Sequence, residues 1–209
     1  MPDLQRRVME VLAAAFPGHA KPPITPEWLN RPGRSDCGPM WDAVRTIYRE
    51  LTDGMALPEE MPPRERRNLD GMLQLPGEPP RIVEVDESQH FNEFRAVTLR
   101  RYPPGISVAF PVEVWLAASQ AGRTIQGGGW AAPKPPLFPM AGGRNRQRAF
   151  RDALADILPP VHGFLPTLRI ADFEVKAWIG DGDAKTRLQG LLEVRLHGSS
   201  GESQVTDGR

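Results

Sequence analysis

The chain has 209 residues, 40% hydrophobic and 25% charged, enough for one core and at most a small accessory segment. Its 26 basic and 26 acidic residues cancel, which argues against non-specific coating of nucleic acid while leaving room for a local basic face. No stretch approaches the roughly 18 consecutive apolar residues of a membrane helix, and a lone cysteine, Cys37, excludes an internal disulfide or a cysteine zinc cluster, so a cytoplasmic protein is expected.

In chain order, Leu4, Val8, Val11, Leu12 and Ala15 recur at helical spacing and predict an amphipathic helix over 3–16, ended by Pro17-Gly18. Arginines beside a short apolar run give this segment a superficial likeness to a secretory leader, but Asp3, Glu10 and the missing cleavage site argue against one. A second helix is expected over 39–53, with Met40, Val44, Ile47 and Leu51 on one face and Ser35 or Asp36 capping its start. Strands at 67–75 and 81–86, joined by a turn at 76–80, predict a β-hairpin. Helices over 91–101 and 111–122 follow, the second opened by Pro111.

Residues 123–145 have no period, carry a triple glycine and a proline cluster, and predict a long surface loop or lid. Beyond it come a helix over 146–158, a strand over 167–179, a helix over 183–196 and a disordered polar tail at 198–209. The sum is an α/β fold with a small central mixed sheet flanked by helices. It divides into an N-terminal helix and loop (1–37), one domain (38–197) and the tail.

Chemistry concentrates in RIVEVDESQHF, residues 81–91. Alternation along a strand places Ile82, Glu84 and Asp86 on one face and Val83 and Val85 on the other. In the preceding strand Asp70 lies opposite Leu69 and Leu73. If leucines and valines pack inward, Asp70, Glu84 and Asp86 converge, and crowded carboxylates raise one another's pKa values unless a cation neutralises them. An oxygen-only set suits Mg²⁺ or Mn²⁺. The other reading is an amphipathic edge hairpin whose acids face water. Gln89 and His90 stand where the strand gives way to a helix, a usual place for polar site residues. Arginines cluster at 64, 66 and 67, at 95, 100 and 101, and at 144, 146, 148 and 151. Hydrolase, phosphate-loop, dinucleotide and zinc-protease motifs are absent.

Asp70, a hairpin turn and then Glu84-Val85-Asp86 resemble the metal-binding core of the PD-(D/E)XK, or restriction-endonuclease-like, nucleases. Continued as IVEVDESQHF into a helix, the stretch is similar to the compact branch related to very-short-patch repair endonucleases. The resemblance covers about 40–101 and, less specifically, the NRQRAFRDAL and IADFEV segments. It implies a Mg²⁺-dependent DNA endonuclease in restriction, repair or defence, with Asp70 and Glu84 as metal ligands and the Val85 carbonyl as a third. Asp86 would bind metal or position water, and Gln89 and His90 would orient water or phosphate. Arg95, Arg144, Arg146 and Arg148 would approach the DNA backbone. A homodimer or partner protein is compatible with this.

Two positions depart from the pattern. Glu87 stands where the branch has glycine, and Asp86 stands where the triplet has lysine. Lys176, two residues past Glu174 on the expected strand, is a substitute lysine, and Glu50 matches an acid that some members place on the preceding helix. The alternative is a nuclease-like fold that has lost cleavage and binds DNA or a partner.

Overall fold

Leu73, Val83 and Val85 do pack inward, and with Leu168 and Ile170 they form one apolar face of a sheet. A computed structural model describes residues 3–22, 25–63, 65, 67–122, 129 and 131–197. Along it run α1 (Asp3–Ala15), β1 (Ala20–Lys21), α2 (Glu27–Asn30), α3 (Arg34–Cys37), α4 (Trp41–Leu51), β2 (Gly71–Leu73) and β3 (Arg81–Asp86). They are followed by α5 (Glu93–Leu99), α6 (Val112–Ala121), α7 (Gly143–Ile157), β4 (Leu165–Ala171), α8 (Asp172–Val175) and α9 (Ala184–His197).

The strands form one mixed sheet in the order β1-β2-β3-β4, antiparallel except for the parallel pair of β3 and β4. A parallel neighbour needs a long crossover, and α5, α6 and α7 supply it. Helices flank the sheet on both faces. On the Val83/Val85 face, Val8 and Leu12 of α1 and Leu188 and Leu192 of α9 close one core. On the Ile82 face, Val44, Ile47 and Leu51 of α4 meet Phe150, Leu154 and Ile157 of α7. The end of the Met9 side chain of α1 packs over Gly71, where a Cβ would lie 2.2 Å from its methyl and the flexible side chain would have to shift. No helix among the described residues is long and apolar enough to cross a membrane.

Several expectations need correction. The first hairpin strand is three residues long rather than 67–75, because Asp70 Oδ2, a side-chain oxygen, accepts the Val85 N–H at 2.8 Å and ends the ladder. The strand expected to reach 179 stops at Ala171, where Glu174 turns back to accept the Ala171 N–H at 2.9 Å and a helical turn begins. Asp36 accepts the Gly33 N–H at 2.9 Å and so supports the start of α3 rather than of α4. Residues 131–142 do form a loop with Pro133, Pro135, Pro136, Pro139 and Ala141 exposed, but it is anchored to the core, since Leu137 and Phe138 are buried and the Leu137 carbonyl accepts from Tyr48 Oη at 2.6 Å. The boundary drawn at residue 37 crosses a shared core, because α1 and β1 belong to the helix layer and sheet of the rest. The tail at 198–209, residues 123–128 and 130 of the loop, and Arg64 and Arg66 lie outside the described residues.

Candidate functional site

The acidic face of β3 is not the solvent-facing side of an edge strand. The strand is internal, all six of its residues are buried, and α7 covers the side bearing Glu84 and Asp86. This removes the edge-hairpin reading. It also sets a physical problem, because buried carboxylates must find partners or give up their charge. The partners come from the sequence-distant half of the chain, and they divide the acids into two groups.

Asp86 belongs to the inner group. Its Oδ1 accepts from Arg169 Nη1 and its Oδ2 from Trp115 Nε1, each at 2.6 Å, and its side chain is 1% exposed. Arg169 stands on β4 in register with Glu84. Its Nε donates to Asp156 Oδ1 at 2.7 Å and its Nη2 to the Asp152 carbonyl at 3.1 Å. Arg95 completes the group, donating to Asp156 Oδ2 and to Tyr102 Oη at 2.7 Å each. With 1% exposure, Arg95 cannot reach a DNA backbone, contrary to the expectation from sequence.

Asp70 and Glu84 form the outer group. One residue before the Gly71↔Val83 pair, Asp70 stands opposite Glu84, and both open into a cleft of about 180 Å³. Arg67 and Asn68 line it from the segment before β2, His90 from the single turn after β3, and Arg144, Gln147, Arg148, Arg151 and Asp152 from α7. Glu84 Oε1 accepts from Arg67 Nη2 at 2.8 Å. Asp70 accepts from the Gln5 amide and the Val85 N–H, both neutral donors. Burial, and then Glu84 across the ladder, push the Asp70 carboxyl up to about 7.

His90 links the two groups. Its Nδ1 lies 3.0 Å from Asp152 Oδ2 and 3.4 Å from Asp86 Oδ1, and its Nε2 lies 2.7 Å from Arg148 Nη1. Burial works against a charged ring, but Asp152 and Asp86 outweigh it and hold the histidine pKa above its ordinary value. Arginine only donates, so in the neutral ring the Arg148 contact has Nε2 accept and the proton sits on Nδ1 toward Asp152. Around the cleft mouth, burial lowers the pKa of Arg148 and Arg151, and Arg144 repels both.

Two sets of side chains could hold a cation. Asp86, His90 and Asp152 offer ligand atoms within 4.8 Å of one another, but Arg169 already contacts both aspartates. Asp70 and Glu84 fit a hard divalent ion better. They are carboxylates facing one another in an open cleft, and Asp70 has only neutral donors.

The other expected residues lie elsewhere. Gln89 donates to Glu87 at 2.8 Å and does not line the cleft. Arg146 stacks on Phe94 at 4.4 Å and donates to the Leu51 carbonyl, on a different face of α7 from Arg144 and Arg148. Glu50 pairs with Arg101 at 3.0 Å on the surface of α4. Lys176 follows α8, exposed and off the sheet, so acid-x-lysine on a strand face does not form.

Sequence reasoning missed Arg67 as a site residue and missed Asp152, Asp156 and Arg169 altogether. A signal for the last existed: an arginine inside the apolar run Leu168-Arg169-Ile170 calls for a buried counter-charge. Comparison with family models, with curated proteins and with solved structures finds no match for this chain, so its function is argued from the geometry of the site.

Proposed function

We propose that the chain is a metal-dependent phosphodiesterase acting on DNA, built on a restriction-endonuclease-like core. The observation that carries this reading is the Asp70–Glu84 pair, opposed across β2 and β3 in a cleft whose mouth is lined by Arg144, Arg148 and Arg151. The arrangement of a hairpin, a helical crossover and a parallel fourth strand supports the core.

Asp70 and Glu84 would hold a Mg²⁺ or Mn²⁺ ion, with the Val85 carbonyl beside them. When bound, such an ion polarises a phosphodiester and acidifies an attacking water. The three α7 arginines bind and orient the phosphate backbone, and an anion there relieves their mutual repulsion. His90, held by Asp152, orients Arg148 toward the cleft. Asp86 serves a different purpose from the lysine of the nuclease pattern, because it anchors Arg169 and Trp115 beneath the site.

The test is cleavage of labelled duplex and single-stranded DNA with Mn²⁺ or Mg²⁺, by wild type and Asp70→Asn. Asp70 is the better first substitution, because altering Glu84 disturbs its buried partner Arg67. Loss of at least about hundredfold in the variant is expected for removing a metal ligand. Metal-independent cleavage, or none by wild type with either ion, overturns the reading.

A second reading has its own support. Glu84 already carries an internal cation, Arg67, and among the described residues no lysine lines the cleft. A DNA- or partner-binding module without cleavage follows from these, and DNA binding without turnover distinguishes it.

A further inference from the structure

Two arginines neutralise acids on β3, and they are held differently. Arg169 uses all three guanidinium nitrogens, on Asp86, Asp156 and the Asp152 carbonyl, and it lies outside the cleft. Arg67 lines the cleft. Its Nη2 lies 2.8 Å from Glu84 Oε1 and 3.9 Å from Asp152 Oδ1, and its Nη1 donates to the Arg151 carbonyl. Its Nε is buried without an acceptor among the described residues. A buried orphan donor is costly, and Arg81 and Arg146 also leave a buried Nε without an acceptor among the described residues, but of the three only Arg67 does so on the wall of the cleft, beside a candidate metal ligand. The backbone of Arg67 is fixed, its carbonyl accepting from Thr25 Oγ1 at 2.9 Å, so only the side chain is free to exchange its partner.

We propose that Arg67 is an exchangeable resident cation, neutralising Glu84 until a divalent ion takes that carboxylate, so that Arg67 and the metal compete for the same oxygen. The inference rests on the metal reading of Asp70 and Glu84 given above. It makes the affinity of the site a property of Arg67 as much as of the ligands. An acid pair with no internal cation would bind any divalent ion more tightly. Here the ion must also displace a charge-assisted hydrogen bond between two groups that are both more than nine-tenths buried. When no ion is bound, the Arg67 guanidinium supplies the opposite charge that a buried carboxylate needs.

The experiment is a titration of the full chain with Mn²⁺ alone, followed by loss of the free-ion paramagnetic resonance signal. Wild type, Arg67→Gln, and Arg67→Gln combined with Asp70→Asn are compared. Removing the competitor should tighten Mn²⁺ binding about tenfold or more, the equivalent of one charge-assisted hydrogen bond, and the added Asp70→Asn should abolish the gain. Equal or weaker binding by Arg67→Gln overturns the exchange and leaves the metal site standing. No binding by either wild type or Arg67→Gln overturns both.

Should Arg67→Gln fail to fold, arginine side-chain nuclear magnetic resonance of the wild type decides. The Arg67 signal is assigned by its absence from Arg67→Lys. Saturating Mg²⁺ should speed rotation about its Cζ–Nε bond as Glu84 lets go, and unchanged rotation overturns the proposal.

Discussion

Glu84 and Asp86 are two residues apart on one strand, share a face and are both buried, yet they lie in different chemical surroundings. Asp86 is fixed by an arginine and an indole that each commit an N–H to it. Glu84 shares a cleft with a second carboxylate and is neutralised by an arginine with an N–H to spare. What separates structure from site here is who supplies the opposite charge and whether that partner has alternatives. Residue type and burial alone do not make the distinction.

The sharpest way to break the comparison is through Arg169. Arg169→Leu strands Asp86, Asp152 and Asp156 around a missing cation, and a loss of about 3–5 kcal/mol in denaturant unfolding is expected for opening a buried charge network. A loss below about 1 kcal/mol would show that the inner group is not the anchor described here.

Glu84→Gln is expected to cost less, about 1–3 kcal/mol, because the amide still accepts from Arg67 but no longer balances its charge. A cost equal to that of Arg169→Leu would erase the distinction between the two groups.

Asp70→Asn should move stability the other way, with a pH signature. The folded carboxyl titrates at about 7 against an ordinary 3.8, so the folded chain keeps a proton that the unfolded chain releases. Wild-type stability from this group is fully present below about pH 4 and is lost as the pH rises through about 7. The asparagine variant should therefore be more stable than wild type by about 1–2 kcal/mol at pH 8 and equal to it at pH 4, after allowing for solvent screening of a half-buried group. A gain independent of pH would point to packing instead.

The smallest effect is reserved for Lys176→Ala. Exposed and off the sheet, it should change stability by less than about 0.5 kcal/mol and leave Mn²⁺ binding and DNA cleavage unaltered.

Much of the frame was legible in the sequence. The strand at 81–86 and the helices at either end of the chain fall where apolar periodicity puts them, because each contributes an apolar face to one shared core. The opposition of Asp70 and Glu84 followed from hairpin alternation. What alternation could not reveal is that the polar face of β3 is also covered. Asp152 and Asp156, spaced one helical turn apart, look like the wet side of α7, and only the crossover brings them over the sheet to meet Arg169. Lys176 misled for a related reason. The local mark of the strand end at Ala171 is slight, a glutamate three residues on that reaches back to the Ala171 N–H, and that glutamate is also held by an ion pair to Arg195 on distant α9.

The bond from the Val85 amide to Asp70 Oδ2 has a consequence beyond ending a strand. The last rung between β2 and β3 is closed by a group that can be titrated and exchanged, where a backbone carbonyl could be neither. Whatever engages Asp70 thereby acts on the main chain of the central strand. The solvent-exchange rate of the Val85 amide proton becomes a gauge of the state of the cleft, readable without substrate and without any label beyond deuterium.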